Sequence, residues 1–353
     1  MSLSAVNRNV IVQEIIALIS AREGSKALDT AAIAKKHSVT TQTIYRYLKK
    51  LEQDGRITKN PKGRENIFEL TKETKEFILP LEGAAEDVAW NTHVEEFVKG
   101  TPECAYRILY YIFTEMVNNA IDHSDGTEIK VRASKNEYRT IFSIIDNGVG
   151  IFNKIAKALN LPEKRFAILE LSKGKFTTNP ESHTGEGIFF SSKAADIFYI
   201  NSDGLSFASN VSYDCALDII SDYMIWDGPN TGVGTNVSFK VNHNHSKPLK
   251  AVFDEFADSS DDLSFEKTTV PVRLLEYAND NPLFISRSQA KRLLARFEEF
   301  KDIILDFSDI DMIGQGFADE VFRVFPANHP GSKLTPVNCN ESVRQMIARV
   351  SAK

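Results

Sequence analysis

The chain has 353 residues, 42% of them hydrophobic and 25% charged, and a net charge of −6. This suits a soluble globular protein of two or three domains and argues against a nucleic-acid-binding surface spread over the whole chain, though a small basic module remains open. Cys104, Cys215 and Cys339 share no CxxC spacing, no apolar run is long enough to cross a bilayer, and the N-terminus lacks a signal-peptide pattern. A disulfide framework, a zinc site and a membrane partner are therefore not expected, and a cytoplasmic location is.

Residues 1–80 read as a helical block. Val10, Ile11, Ile15, Leu18 and Ile19 recur at helical spacing, Asp29 can cap a short helix through Ala34, and Thr40 or Thr41 can cap another carrying Ile44, Tyr45, Leu48 and Leu51. A hairpin follows, with Arg56–Thr58 and Asn66–Leu70 flanking a turn at Asn60–Gly63. Three helices and a hairpin resemble a winged helix-turn-helix. That resemblance implies duplex DNA as partner, met by Thr41, Gln42, Thr43, Tyr45 and Arg46, with Lys49 and Lys50, on a recognition helix, and by Lys59, Lys62 and Arg64 on a wing. Basic residues outnumber acidic ones between residues 22 and 64, opposite to the whole chain. Protein contact or homodimerisation through the same fold is the alternative. Residues 71–90 read as a helical connector.

The middle block, 81–245, carries four motifs. A helix from Glu103 to His123 contains Phe113-Thr-Glu-Met-Val-Asn-Asn-Ala-Ile-Asp-His123, in which Glu115, Asn119 and Asp122 share one face. An amide oxygen of Asn119 suits magnesium, and Glu115 suits a general base that orients water. The same pattern also serves a plain amphipathic helix. Strands near 128–133 and 139–145 deliver Asp146 to the turn Asp146-Asn-Gly148-Val-Gly150, where a carboxylate can accept from an exocyclic amine. Next comes Ser182-His-Thr-Gly185-Glu186-Gly187-Ile188-Phe189, whose amides at the start of a helix (187–195) can cradle phosphate. Strands are expected at 197–202, 205–212 and 235–241. The last motif, Thr231-Gly-Val-Gly-Thr235, opens the third of these, and Thr235 can place a hydroxyl near a base or its bound water.

Each of the other three motifs alone also fits an ordinary turn or loop. Their order resembles the GHKL superfamily, which includes sensor histidine kinases, DNA gyrase, heat-shock chaperones, MutL-type repair proteins and the anti-sigma-factor serine kinases. Glu leading the first motif is closest to the anti-sigma kinases and the ATPases. The resemblance, over roughly residues 100–242, implies a Bergerat α/β sandwich with a mixed sheet under three helices. It also implies ATP and magnesium as cofactors, beneath a lid at 152–184 in which Lys173 and Lys175 either reach phosphates or belong to a solvated basic loop. Glu115 would be catalytic, Asn119 the metal ligand, and Asp122, Asp146, Gly148, Gly150, Gly185, Glu186, Gly187, Ile188 and Thr235 nucleotide contacts.

The acidic run Asp254–Asp262 reads as a linker. Beyond it, 264–353 alternates strands at 270–275, 283–285, 303–307 and 334–337 with helices at 288–300, 317–324 and 341–350, an α/β pattern. Ile303-Ile-Leu-Asp306-Phe-Ser308-Asp-Ile-Asp-Met-Ile-Gly314-Gln-Gly-Phe317 is similar to STAS domains of anti-anti-sigma factors, although Gly314-Gln315-Gly316 stands where that family carries a phosphoacceptor serine. A multidomain α+β regulator is expected: a winged helix, a slow magnesium-dependent ATPase module, and a STAS-like domain for a protein partner. The alternative is a serine or histidine kinase acting on an external protein. His93, in an acidic stretch, makes a poor phosphoacceptor.

Overall fold

The computed structural model describes residues 5–22, 27–62, 65–176, 185–209, 234–259, 262–277 and 286–351. Arg64, residues 182–184 and 231–233 of two motifs, Cys215 and the strand expected at 283–285 lie outside the described residues.

The head comprises α1 (Ala5–Arg22), α2 (Thr30–Lys36), α3 (Thr41–Gln53) and an antiparallel ribbon of β1 (Ile57–Lys62) and β2 (Glu65–Leu70). Both helix caps form: Asp29 Oδ1 accepts from Ala32 N at 2.9 Å, and Thr40, not Thr41, accepts from Thr43 N at 3.2 Å. Pro61 pairs with Asn66 inside the ribbon instead of turning it, which a two-stranded ribbon tolerates because both strands are edges. Ile11, Ile15, Ile19, Ile33, Ile44, Leu48 and Leu51 form a core of their own.

The central sheet is built from β3 (Glu73–Pro80), β4 (Glu128–Lys135), β5 (Arg139–Asp146), β6 (Ile197–Ser202), β7 (Leu205–Ser209) and β8 (Thr235–Asn242). Its order is β3-β4-β5-β8-β6-β7 and every neighbouring pair is antiparallel, which corrects the mixed sheet expected. The helical connector expected at 71–90 is also corrected. Its first part is β3, followed by α4 (Glu86–Ala89) and a π-helical turn at Trp90–Val94. Glu and Lys favour helix in isolation, but pairing with β4 overrides that preference here: Glu76 bridges Lys130 and Arg132 at 2.8 and 2.7 Å, and Phe77 lies opposite Val131. Helices α5 (Glu103–His123) and α8 (Gly187–Ala194) pack on each other and on the sheet. Phe113 of α5 meets Phe142 of β5 edge-on at 5.5 Å, and Phe142 stacks on Phe239 of β8 at 5.4 Å. Between β5 and α8 come α6 (Ile151–Ala158) and α7 (Phe166–Lys173).

The tail begins with α9 (Leu249–Asp254) and the hairpin β9 (Ala257–Ser259)–β10 (Asp262–Phe265). The acidic run is therefore no bare linker. Phe256 and Phe265, which bracket the hairpin, are buried against Phe189 of α8 with ring centroids 5.0 and 4.5 Å away. Beyond it, β11 (Lys267–Pro271), β12 (Asp302–Asp306) and β13 (Lys333–Val337) form a parallel sheet. It is covered by α10 (Leu274–Tyr277), α11 (Arg287–Leu294), α12 (Gln315–Asp319), α13 (Phe325–Asn328) and α14 (Glu341–Ser351). The strand expected at 270–275 gives way to α10 after Pro271. Centre and tail share one continuous apolar core, from which the head core is distinct. Among the described residues, no helix is long and apolar enough to cross a membrane.

Two cores predict two unfolding transitions. Phe265→Ala should destabilise the larger unit by about 3–5 kcal/mol, the usual cost of a buried Phe truncation, and leave the head transition in place. Urea melts followed by head and body probes check this, and coincident, jointly shifted transitions would refute it.

Candidate functional site

A cavity of about 300 Å³ opens between α5, α6, α7 and α8 and the ends of β5 and β8. The pairing of β5 with β8 places Ile145 opposite Asn236, so Asp146 and Thr235 arrive together at the strand ends. Asp146 is buried, and its Oδ1 accepts from Gly148 N at 2.9 Å and Thr235 N at 3.2 Å. Burial pushes its carboxyl above the usual carboxylate range, and these donors oppose that shift. Thr235 Oγ1 in turn accepts from Ile151 N at 3.0 Å, which ties β8 to the start of α6. The close approach demands glycine at 234, where φ is +102° and a Cβ would sit 2.1 Å from Asp146 O.

On the opposite wall, α5 presents Glu115, Asn118, Asn119 and His123. Glu115 lies against the start of α8: a Cβ on Gly187 would come within 2.0 Å of its Oε2. The backbone of α8 can approach the carboxylate only because residue 187 has no side chain. One turn earlier, burial pushes the Tyr111 phenol up, and the nearby Glu115 and Glu186 carboxylates add to the shift. Lys154 of α6 also lines the cavity, donating to His123 O at 2.7 Å and Asp125 Oδ2 at 3.2 Å.

Of the residues singled out in the sequence, Glu115, Asn119, Asp146, Gly150, Gly185, Gly187, Ile188 and Thr235 line this one cavity. Gly148 stands behind Asp146 as a donor. Asp122 is exposed and Glu186 occupies the cap position before α8; neither lines the cavity. Lys154, His123 and Asn118 were missed. Lys154 stands one helical turn after Gly150, so the helix that follows the Asp146 turn could have placed it.

The lid expected at 152–184 is described only in part, since residues 177–184 lie outside the described residues. Residues 151–158 and 166–173 are α6 and α7, and every residue of α7 is buried. Lys173 and Lys175 do not line the cavity; both turn toward the tail. In the head, Thr41, Gln42, Tyr45, Arg46, Lys49 and Lys50 are exposed on α3, while the hydroxyl of Thr43 is 3.0 Å from that of Thr40 within the helix cap. Lys62 closes β1.

Over residues 105–207 the chain matches the family of histidine kinase-, DNA gyrase B- and HSP90-like ATPases, so the cavity belongs to a GHKL-type ATPase domain, which implies ATP binding. Residues 289–344 match a STAS-like domain of unknown function (DUF4325), and the chain thus joins a GHKL-type ATPase domain to a STAS-like one. The first match ends before the motif that contains Thr235. No curated protein matches the chain.

The residues present fit a nucleotide with a metal ion. Asn119 Nδ2 is buried without a hydrogen-bond partner, and turning the amide puts a hard oxygen ligand in its place. Asp146→Asn should separate stability from binding. The folded-state pKa of Asp146 is raised, so its burial cost is present at neutral pH and vanishes as pH falls below the unfolded value of about 3.9. Asn removes that cost, so the ligand-free variant should melt later than wild type at pH 7 and gain nothing at pH 3. If Asp146 accepts from the adenine amine, ATP affinity measured by calorimetry should fall, because an amide N–H would then face that amine. Equal affinity in both proteins would refute the assignment of Asp146.

Proposed function

We propose that the chain is an ATP-responsive regulator in which the GHKL-type module controls DNA binding by a winged helix-turn-helix head, with the STAS-like domain available to a protein partner. The observation that carries this is the path between head and cavity along β5. At its start, Tyr138 packs on the head core and the buried Arg139 donates from Nη1 to Ser20 O, in the last turn of α1, at 3.3 Å. Beside it, Arg56 at the base of the hairpin is paired with Glu137 through its Nε at 2.7 Å and a second, shorter contact. At its other end the same strand carries Asp146. A ligand that repositions Asp146 therefore acts on a strand whose far end holds the head.

In the cavity, Asp146 would accept the exocyclic amine of adenine, with Thr235 beside it. The amides around Gly185 and Gly187 would face phosphate, since a helix N-terminus favours negative charge. Asn119 would hold magnesium, which when bound offsets the charge of the phosphates. Glu115 would orient the attacking water, giving slow hydrolysis. In the head, α3 buries Ile44, Tyr47, Leu48 and Leu51 and turns Thr41, Gln42, Tyr45, Arg46 and Lys49 outward, the division of faces a recognition helix needs.

The full chain should bind duplex DNA with an affinity that falls steeply with salt, as Lys and Arg displace condensed counterions. Arg46→Ala should weaken binding by about 1–3 kcal/mol if it reads a base. ATP should change DNA affinity, and DNA should change ATP affinity by the same factor. Fluorescence anisotropy with each ligand titrated in the presence of the other decides it. No DNA binding at low salt would turn the head into a protein-contact module, and two unlinked affinities would remove the regulatory link.

A further inference from the structure

The tail does more than share a core with the ATPase domain. Residues 174–176 follow α7, and Gly174 and Phe176 line the cavity. They are gripped from the tail by Arg296, which directly follows α11 and its C-cap residue Ala295. Arg296 Nη2 donates to Lys175 O at 2.7 Å and Gly174 O at 3.2 Å, and its guanidinium lies over the Phe176 ring at 5.6 Å. Its other contacts hold it in place: Glu299 Oε1 at 3.1 Å and Oε2 at 3.0 Å, and the buried Glu170 at 3.4 Å. Arg296 takes a left-handed backbone with φ +64°, which a residue with a side chain adopts only when its surroundings impose it.

A second layer anchors the end of α7. The fully buried Lys173 donates to Glu170 Oε1 and to Ala295 O, both at 2.7 Å. Thr268 of β11 donates to Lys173 O at 2.7 Å, and Lys175 Nζ reaches Glu299 O at 2.7 Å. The backbone of Phe176 abuts Gly185, where a Cβ would meet its carbonyl at 2.5 Å. The tail thus reaches, through three residues, the stretch of cavity wall that leads to the start of α8.

We propose that Arg296 of the STAS-like domain is a positioning residue for the nucleotide cavity, holding the 174–176 wall so that the tail sets how long a nucleotide stays bound. This rests on the reading of the cavity as an ATP site. Charge-assisted bonds from a rigid guanidinium fork fix backbone carbonyls more firmly than a lysine can. A wall held before binding lowers the cost of ordering it around a ligand. Whatever binds or displaces the tail near residues 292–300 would then alter nucleotide release with no contact to the nucleotide itself.

The test uses the full chain and a fluorescent ATP analogue. Without nucleotide, Arg296→Ala should speed amide hydrogen exchange at residues 171–176. With nucleotide, it should accelerate dissociation roughly tenfold and change association little, as is usual for variants of one interface. Arg296→Lys should recover part of the loss. Arg287→Ala, which breaks an ion pair with Asp319 elsewhere in the tail, should leave dissociation at the wild-type rate and so controls for general destabilisation. Unchanged exchange at 171–176 overturns the proposal, and so does faster exchange with unchanged dissociation. A wild-type chain with no affinity for the analogue removes the ATP reading and this proposal together. That failure is distinct from one in which wild type and Arg296→Ala bind alike.

Discussion

The contact between Asp146 and the amide of Thr235, 3.2 Å apart, governs the architecture of the site. It exists because β5 and β8 pair with Ile145 opposite Asn236, although some ninety positions separate them in the chain. A slip of one residue would turn Asp146 to the other face of the sheet, since side chains alternate along a strand. The Phe142–Phe239 stack holds this register from inside the core, and the glycine at 234 lets the two backbones close on each other at the strand ends. Around that fixed carboxylate, α5 and α8 supply the other walls, and their spacing is set by the contact of Glu115 with residue 187.

Much of this was legible from local signals. The helix 103–123 was read to the residue because its apolar face repeats without interruption and His123 is followed by Ser-Asp-Gly. Most of the cavity-lining motif residues were legible because glycines and carboxylates there have few other uses in that order. What failed was non-local. The strand β3 is rich in Glu and Lys, residues that favour helix alone, and only its partners Lys130 and Arg132 on β4 explain it as a strand. The all-antiparallel sheet depends on where β8 inserts, which no periodicity reports. Helices α6 and α7 lay in a stretch read as a loop, and part of what α7 packs against, β11 and α10, stands in the tail about a hundred residues further on. The same holds for Lys173. A lysine in a Gly- and Lys-containing stretch looks like a solvated or phosphate-reaching group, and its burial beside Glu170 and Ala295 O became visible only in three dimensions.

The three parts of the chain are joined in two different ways. Centre and tail are fused by aromatic packing: Phe189, Phe190, Phe256 and Phe265 bring α8 and the β9–β10 hairpin together, and Phe300 extends the group into the tail. Such a junction buries large apolar area and behaves as one body. Among the described residues, the head meets the centre at the turn 136–139, where Tyr138 packs on the head core and Arg56 and Arg139 bond across. A small, largely polar junction of that kind permits relative movement. The ATPase domain is thus joined by a broad apolar contact on one side and by a lighter, polar one on the other.

The edge position of β3 has a consequence for how the chain can be divided. Only Thr71 and Lys72 separate β2 of the head from β3 of the central sheet. A cut after Pro80 would send β3 away with the head as an unpaired strand, and would leave β4 paired on one side only, with β5. The bare edge of β4, with Ile129 and Val131 no longer covered, would then offer open backbone groups to another chain, the usual start of aggregation. The charged and proline-ended strand Glu73–Pro80 is thus the guard of the sheet as well as its tether to the head, and a clean division of the molecule falls before residue 73.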